Sequence, residues 1–147
     1  MNYFDTFAIS ASGMSAERLR LNVVANNISN INTAGRPGDS VQKPYQRQVP
    51  LFAQKLKESI VVKQRLNKFN GAGVKAVGIV HDPHPPRIVY EPDHPLSDEN
   101  GYVAYPNINV ANEIVDMMTA SRAYQANVTA FSAARNMFIK ALEIGKR

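Results

Sequence analysis

The segment EIVDMMTASRAYQANVTAFSAARNMFIKALEIGKR, residues 113–147, decides the fold. It belongs to a longer run, residues 107–144, that contains neither glycine nor proline, so nothing in it breaks a helix. Pro106 precedes the run, and Gly145 closes it together with two cations. The candidate N-caps at its start are Asn107, Asn109 and Asn112. We therefore expect one long C-terminal helix.

Apolar side chains recur along this helix with alternating three- and four-residue spacing, which is a heptad pattern held for about four repeats. We name this set the C-terminal seam. Its members are Ile114, Met117, Tyr124, Val128, Phe131, Phe138 and Leu142. Ser121 and Arg135 interrupt it, and the many alanines between its members favour helix and let a second helix approach closely.

The N-terminal residues show the same heptad spacing of apolar side chains. Arg18 is a charged residue that interrupts this pattern. The N-terminal seam consists of Phe7, Met14, Leu21 and Ile28. We expect this helix to fade in the asparagine-rich segment ANNISNINTAG, residues 25–35, where Gly35 supplies a stop.

Turn residues fill the middle of the chain, since all nine prolines lie between Pro37 and Pro106. Between these turns, short strands are predicted over residues 45–52, 59–66, 74–80, 87–90 and 102–105. Gly71 and Gly73 are assigned to a turn, and Pro50 marks the first strand as an edge or a bulge.

The predicted fold class is α+β and elongated. Long terminal helices form a coiled-coil-like pair around a small β-rich middle, with divisions at residues 1–34, 35–106 and 107–147. A helix of about 36 residues would be about 54 Å long, whereas a compact chain of this size would be roughly 38 Å across. The C-terminal helix must therefore bend, break near Ser121, or project towards other chains, and we favour other chains as the cover for its apolar surface.

Composition excludes several classes of protein. A hydrophobic content of 44% argues against wholesale disorder, and the absence of cysteine excludes disulfide scaffolds and thiol chemistry. No run is long enough to predict a transmembrane helix, and the start of the chain lacks the features of a cleavable secretory signal.

Charge is distributed unevenly around the net value of +5. Residues 36–75 hold nine bases and two acids, and residues 81–99 hold five acids and one base. The basic stretch leaves nucleic-acid binding open as an alternative function, although no recognition motif accompanies it. Charge complementarity between neighbouring molecules is a second interpretation, and solvated surface is the interpretation that charge alone favours over it.

Chemistry-bearing motifs are weak. The only histidine–aspartate cluster, residues 81–94, lies among prolines, so a metal site there is the less favoured alternative. Gly71 and Gly73 fit a loose dinucleotide-binding pattern without the strand and helix that such a site needs. We expect no enzyme, no cofactor and no small-molecule substrate.

Residues 25–35, together with the lead-in AISASGMSAERLRLNVV, resemble the N-terminal signature of the bacterial flagellar axial proteins, which include rod, hook and hook-associated proteins. Residues 113–147 resemble their terminal helix. KPYQRQ (residues 43–48), GVKAVGIVHDPHPPRIVYEPDHP (residues 73–95) and GYVAYPNINVANEIVDMM (residues 101–118) resemble the proximal rod branch of that family.

The resemblance implies a structural, self-assembling subunit of a hollow helical rod in the flagellar basal body. It implies export through the flagellar type III apparatus and termini that are loose until assembly. Implied partners are copies of itself, other rod proteins, components on the MS-ring side and the distal rod, without nucleic acid. The residues carrying the signature, with contacts implied at the helix end and between subunits, are Asn26, Asn27, Asn30, Thr33 and Gly35.

Overall fold

A computed structural model describes residues 3–39, 42–56 and 71–145. The elements follow the order α1 (Tyr3–Ser29), β1 (Gln48–Leu56), β2 (Gly71–His81), β3 (Arg87–Tyr90), β4 (Tyr102–Tyr105) and α2 (Val110–Ile144). Two long terminal helices with short strands between them confirm the predicted α+β class. Neither helix, in the part of the chain described, has an apolar stretch long enough to cross a lipid bilayer.

Helix α2 runs unbroken past Ser121 over 35 residues, so the predicted alternative of a break there is wrong. Of the three candidate N-caps, Asn109 performs the role. Its side-chain Oδ1 accepts hydrogen bonds from the backbone N–H groups of Ala111, at 2.9 Å, and Asn112, at 3.3 Å. Two of the helix's otherwise unpaired first N–H groups are thereby satisfied.

Helix α1 ends at Ser29, inside the asparagine-rich segment as predicted. Gly35, however, is not its stop, because the helix has ended six residues earlier. Gly35 instead exchanges two backbone hydrogen bonds with Ala104, at 2.8 and 2.9 Å. Its missing side chain is required by packing, since a Cβ there would lie 2.2 Å from the backbone nitrogen of Pro44.

The strands form two separate two-stranded sheets, β1 with β2 and β3 with β4. The predicted strands 87–90 and 102–105 are confirmed at the same bounds, and they pair antiparallel with Arg87 opposite Tyr105. The first predicted strand is displaced towards Leu56, and the predicted strand 59–66 lies outside the described residues.

The turn assigned to Gly71 and Gly73 is wrong, because β2 begins at Gly71. Gly73 has a φ of +102°, and a Cβ there would lie 2.1 Å from Oγ of Ser12. The Ser12 hydroxyl accepts a hydrogen bond from the Val74 N–H at 3.1 Å. Glycine thus serves a close approach of β2 to α1, where the sequence pattern indicated a turn.

The chain divides into two compact units. The first unit consists of Met1–Leu19, Leu51–Gly78 and Thr119–Arg147, and the second of Arg20–Pro50 and Ile79–Met118. In the first unit the buried helical positions are small residues: Ser10, Ala16, Ala120 and Ala134. Phe7 packs edge-on against Phe131 with ring centroids 5.0 Å apart. A Cβ on Gly13 would lie 2.8 Å from Oδ1 of Asn127. Because the chain advances from Phe7 to Gly13 on α1 while it goes back from Phe131 to Asn127 on α2, the two helices run antiparallel in this unit.

In the second unit, the end of α1 contributes Val23 and Val24 to the buried core, and β4 contributes Val103 and Ala104. The buried polar members are Asn27, 1% exposed, and Glu113, which has no exposed surface. Glu113 has the largest of the fully buried side chains described. A charged group at the centre of a core requires partners of its own.

Replacing Gly35 with alanine should destabilise the protein by roughly 2–3 kcal/mol, because the added methyl group meets backbone atoms that cannot rotate away. Urea unfolding of the full chain, followed by circular dichroism, measures the effect. Gly78→Ala is the matched control, since nothing lies within 4 Å of a Cβ there, and it should change stability by less than about 0.5 kcal/mol. Equal effects for the two variants would contradict this role of Gly35.

Candidate functional site

The side-chain amide of Asn27 lies at the centre of the second unit. Its Nδ2 donates to the Gln48 backbone oxygen at 2.9 Å, and its Oδ1 accepts from the Gln48 backbone N–H at 2.9 Å. The amide therefore pairs with Gln48 as a neighbouring strand would. Its remaining donor and acceptor bind Oε2 of Glu113, at 3.1 Å, and the Tyr45 hydroxyl, at 2.9 Å. All four hydrogen-bonding positions of the asparagine are filled.

Glu113 and Arg47 form the charged pair of this site. Nε of Arg47 donates to Oε1 of Glu113 at 2.6 Å, so each oxygen of the buried carboxylate has a donor. The guanidinium, whose side chain is 25% exposed, also lies 3.5 Å from carboxylate oxygens of Asp82 and Asp116. Burial alone would lower the pKa of Arg47, but the hydrogen bond and the charge of Glu113 raise it. The cation is thus fixed among three carboxylates.

Asp82 links this cluster to the proline-rich loop that follows β2. Its backbone N–H donates to the Arg47 carbonyl at 2.8 Å. Its carboxylate accepts from the backbone N–H of His84 at 3.0 Å and contacts the His84 ring. These hydrogen bonds from His84, with the smaller charge effect of Arg47, lower the pKa of Asp82. Burial, and then the negative charge of Glu113, raise the pKa of Tyr45.

We define the node as the interlocked set Asn27, Tyr45, Arg47, Gln48, Asp82 and Glu113. Its members come from the last turns of α1, the entry to β1, the end of β2 and the first turn of α2. Every charge in it is paired, so it holds elements together and presents no free nucleophile or base. Within the described residues, no group of three histidine, aspartate or glutamate side chains could hold a metal ion.

The other signature residues lie next to the node. Asn26 is exposed and donates to the Tyr45 hydroxyl at 3.2 Å. Asn30 donates to both oxygens of Asn26, at 2.9 and 3.0 Å, and Thr33 donates to Asn30 at 3.2 Å. This chain of polar contacts satisfies the carboxyl end of α1, and Gly35 then enters the bridge with Ala104.

The seam residues are at most half-buried in the isolated chain. The half-buried members are Phe7, Met14, Leu21, Ile28, Met117, Tyr124, Phe131 and Phe138. Ile114, Val128 and Leu142 are 46%, 40% and 54% exposed. The structure brings Phe7 and Phe131 together in the first unit. The two charged residues at seam positions, Arg18 and Arg135, are both exposed.

Further large apolar side chains stand in solvent on α2. At its start, in the second unit, they are Val110, Val115 and Met118, and near its end, in the first unit, they are Met137, Ile139 and Ile144. A protein that remains monomeric in water rarely exposes so many large apolar residues on one helix. These surfaces are suited to contact with other protein chains.

Sequence reasoning missed most of the node. In the sequence, Arg47 is one of nine bases in a stretch that only its net charge distinguishes. Glu113 looks like an ordinary acid in the first turn of a helix. The signal that was present is the asparagine-rich signature, which includes Asn27. Nothing in the spacing indicates that its partner lies 86 residues away.

A long helix that leaves many large apolar side chains exposed, in a chain whose polar node has all its charges paired, is typical of an assembly protein. The chain matches two family models, "Flagella basal body rod protein" over residues 7–35 and "Flagellar basal body rod FlgEFG protein C-terminal" over residues 99–144. It is 37% identical to the flagellar basal-body rod protein FlgC of Borreliella burgdorferi, with 98% of each chain covered.

Two further relatives have the same description. The FlgC protein of Bacillus subtilis is 37% identical, and that of Salmonella typhimurium is 34% identical; in each case 99% of this chain and 100% of the relative are covered. The chain belongs to the FlgC family of flagellar basal-body rod proteins. It is a structural rod subunit of the flagellar basal body, not an enzyme, and it assembles with other rod and basal-body components. Family membership gives no support to the nucleic-acid and metal-binding alternatives.

Asn27→Ala should destabilise the second unit by roughly 2–4 kcal/mol, because it leaves the Gln48 backbone groups and one oxygen of Glu113 unpaired, and a buried unsatisfied group costs about 1–3 kcal/mol. The matched control is Asn26→Ala, which removes an exposed neighbour and should cost well under half as much. Chemical denaturation of both variants gives the comparison. An Asn27→Ala protein as stable as Asn26→Ala would contradict the node.

The lowered pKa of Asp82 predicts a pH dependence. Because the folded-state pKa lies below the unfolded value of about 4, the carboxylate stabilises the fold above that pH, and the stabilisation is lost as pH falls through the lowered pKa. The difference in melting temperature between the natural chain and Asp82→Asn should be largest above about pH 5 and shrink below about pH 4. Asp93→Asn, which removes an exposed carboxylate outside the node, is the control; a pH-independent difference for Asp82→Asn would contradict the linkage.

Proposed function

We propose that this chain builds the proximal part of a hollow helical rod, which transmits torque and lets exported subunits pass, by packing its two seams against neighbouring subunits. The observation that carries the proposal is the exposure of seam residues in a chain whose helices already contact each other. Ile114, Val128 and Leu142 continue the heptad pattern but face solvent. A neighbouring helix would cover them.

Burial of apolar side chains supplies the driving force. Each large apolar side chain that leaves water contributes roughly 1.5–3 kcal/mol, so a few seam residues per contact suffice for stable packing between subunits. Ordering a loose helix costs about 1–2 kcal/mol per residue, which burial on several sides can offset. We therefore propose that the termini complete their order as they assemble.

Specificity of packing rests on polar positions in the seams. Arg18 and Arg135 are exposed in the isolated chain, at positions where the heptad pattern places them among apolar residues. A charged residue at a seam position reduces stability and selects the register and number of helices that can pack there. These two arginines support a fixed arrangement of subunits.

The proposal assigns the terminal segments, residues 1–34 and 107–147, to an inner layer of packed helices. The middle segment, residues 35–106, then faces outward and meets neighbours along the rod through its basic and acidic stretches. Copies of this chain, other rod proteins, components on the MS-ring side, the distal rod and the flagellar type III export apparatus are the proposed partners.

Val128→Asp tests the seam directly. Because Val128 is already 40% exposed, the change should leave the isolated chain folded while placing a charge where a neighbour packs. We expect a normal circular dichroism spectrum, loss of the chain from isolated basal bodies, and loss of motility. Leu21→Asp and Phe131→Asp should also block assembly, although Phe131 contacts Phe7 within the chain and so affects folding as well.

Thr129→Asp is the matched control, because Thr129 is an exposed neighbour outside the seam and the same charge is added one residue away. It should be incorporated and leave cells motile. A motile cell whose rods contain Val128→Asp would contradict seam packing, whereas loss of incorporation by both variants would indicate a general effect of added charge.

A further inference from the structure

A histidine ring holds the turn that follows β3 in the second unit. The backbone N–H of Leu96 donates to Nδ1 of His94 at 3.1 Å, and within the described residues it has no other acceptor. The backbone of the same histidine bonds on both sides: its N–H donates to the Glu91 carbonyl at 3.2 Å, and its carbonyl accepts from the Ser97 N–H at 3.0 Å. His94 therefore connects residues 91–97 through its N–H, its carbonyl and its ring.

The direction of the Leu96 hydrogen bond determines where the His94 ring carries its hydrogen. A backbone N–H can only donate, so Nδ1 of His94 accepts through its lone pair. The neutral ring then has its hydrogen on Nε2. A further proton has to bind Nδ1, because that nitrogen holds the one free lone pair of the neutral ring. The proton and the Leu96 N–H thus compete for the same site.

The ring of His84, in the same unit, responds to a proton in the opposite sense. It contacts the Asp82 carboxylate, which is an acceptor, so a positive charge on this ring strengthens the contact. Histidine is the side chain that ordinarily changes its charge between about pH 5 and 8. Acid therefore favours the contact that His84 makes and removes the one that His94 makes with Leu96.

Several titratable or charged groups surround the His94 ring. On its own segment and on the two strands that the segment joins, they are Glu91, Asp93, Asp98, Arg87 and Tyr105. The Tyr105 ring stands edge-on to His94 with centroids 6.4 Å apart, and its hydroxyl donates to Oε2 of Glu91 at 2.8 Å. That hydrogen bond raises the pKa of Tyr105, so the tyrosine stays uncharged where histidine titrates. The Arg87 guanidinium lies 5.7 Å from the centroid of the Tyr105 ring.

We propose that His94 makes the turn after β3 sensitive to acid: when Nδ1 takes up a proton, the Leu96 N–H loses its acceptor and residues 91–97 loosen. The hydrogen bond is present while the ring is neutral and is lost as the pH falls through the titration of the ring. The inference concerns the second unit alone and does not depend on how the chain packs in a rod. Under the proposed function, the turn lies in the segment that meets neighbouring subunits, so acid would alter that surface.

Exchange of backbone amide hydrogens with water, measured by NMR on the isotope-labelled full chain, tests the device. Protection is the measured rate divided into the intrinsic rate at each pH, which removes the ordinary effect of pH on exchange. Between about pH 7.5 and about pH 5, the protection of the Leu96 N–H should fall about five-fold or more. The N–H groups of Asn100 and Tyr102, which donate to the Asp98 carboxylate, should change less than about two-fold and serve as the internal reference.

Substitutions at the two histidines separate this mechanism from a general effect of acid. In His94→Asn, the Oδ1 atom accepts from the N–H two residues further on and does not titrate, so Leu96 should stay protected at both pH values. In His94→Ala, Leu96 should be unprotected at both. His84→Asn is the matched control and should leave the fall in Leu96 protection unchanged.

Nitrogen chemical shifts of the His94 ring give an independent readout. They should show Nδ1 without a hydrogen at about pH 7.5 and both ring nitrogens protonated at about pH 5. Leu96 protection that is independent of pH in the natural chain would overturn the inference. An equal fall in His94→Asn would overturn it too, because the titrating group would then be another side chain such as Glu91. Neither result bears on the seams, so the proposed function is tested separately.

Discussion

A carboxylate with no exposed surface constrains everything around it in the second unit. The burial of Glu113 is compensated because Arg47 and Asn27 each donate a hydrogen bond to one of its oxygens. Removing one partner of such a buried pair typically costs about 3–5 kcal/mol, although the pair as a whole adds little net stability. Its effect is therefore on which arrangement forms, since α1, β1 and α2 must all be in register before the charge is satisfied.

The same asparagine also explains how a strand can end at a helix without exposing its edge. An amide side chain has one donor and one acceptor in the spacing of a peptide group, so Asn27 replaces the strand that Gln48 lacks. Alanine would leave these backbone groups unpaired, and aspartate would present acceptors alone. The residue type at position 27 follows from this geometry, and Pro50 completes the protection by removing the next outward donor.

The sequence pattern predicted those features of the fold that depend mainly on residues close together in the chain. The helices, the capping asparagine and the two strands of the second sheet depend on residues within a few positions of each other. The node depends on contacts between residues 18 to 86 positions apart, and no local pattern marks Glu113 as buried. The two glycines show the same limit. Gly35 and Gly73 look like ordinary turn residues in the sequence, yet each is required because atoms of another segment, Pro44 and Ser12 respectively, occupy the space that a Cβ would need.

The heptad spacing identified apolar stripes but not their partners. In the first unit the buried helical positions are Ala16, Ala120 and Ala134, whose short side chains let the helices approach closely, while the larger seam residues stand half-exposed beside them. A hairpin closed on its own large residues would have no apolar surface left to offer. By closing mainly on small residues, with Phe7 against Phe131 as a larger pair, the helices leave several of their other large side chains exposed, and in the proposed rod these are the residues that neighbouring subunits would cover. Small residues for contacts within the chain and large residues for contacts between chains would allow a subunit first to fold by itself and then to pack among the helices of a larger assembly.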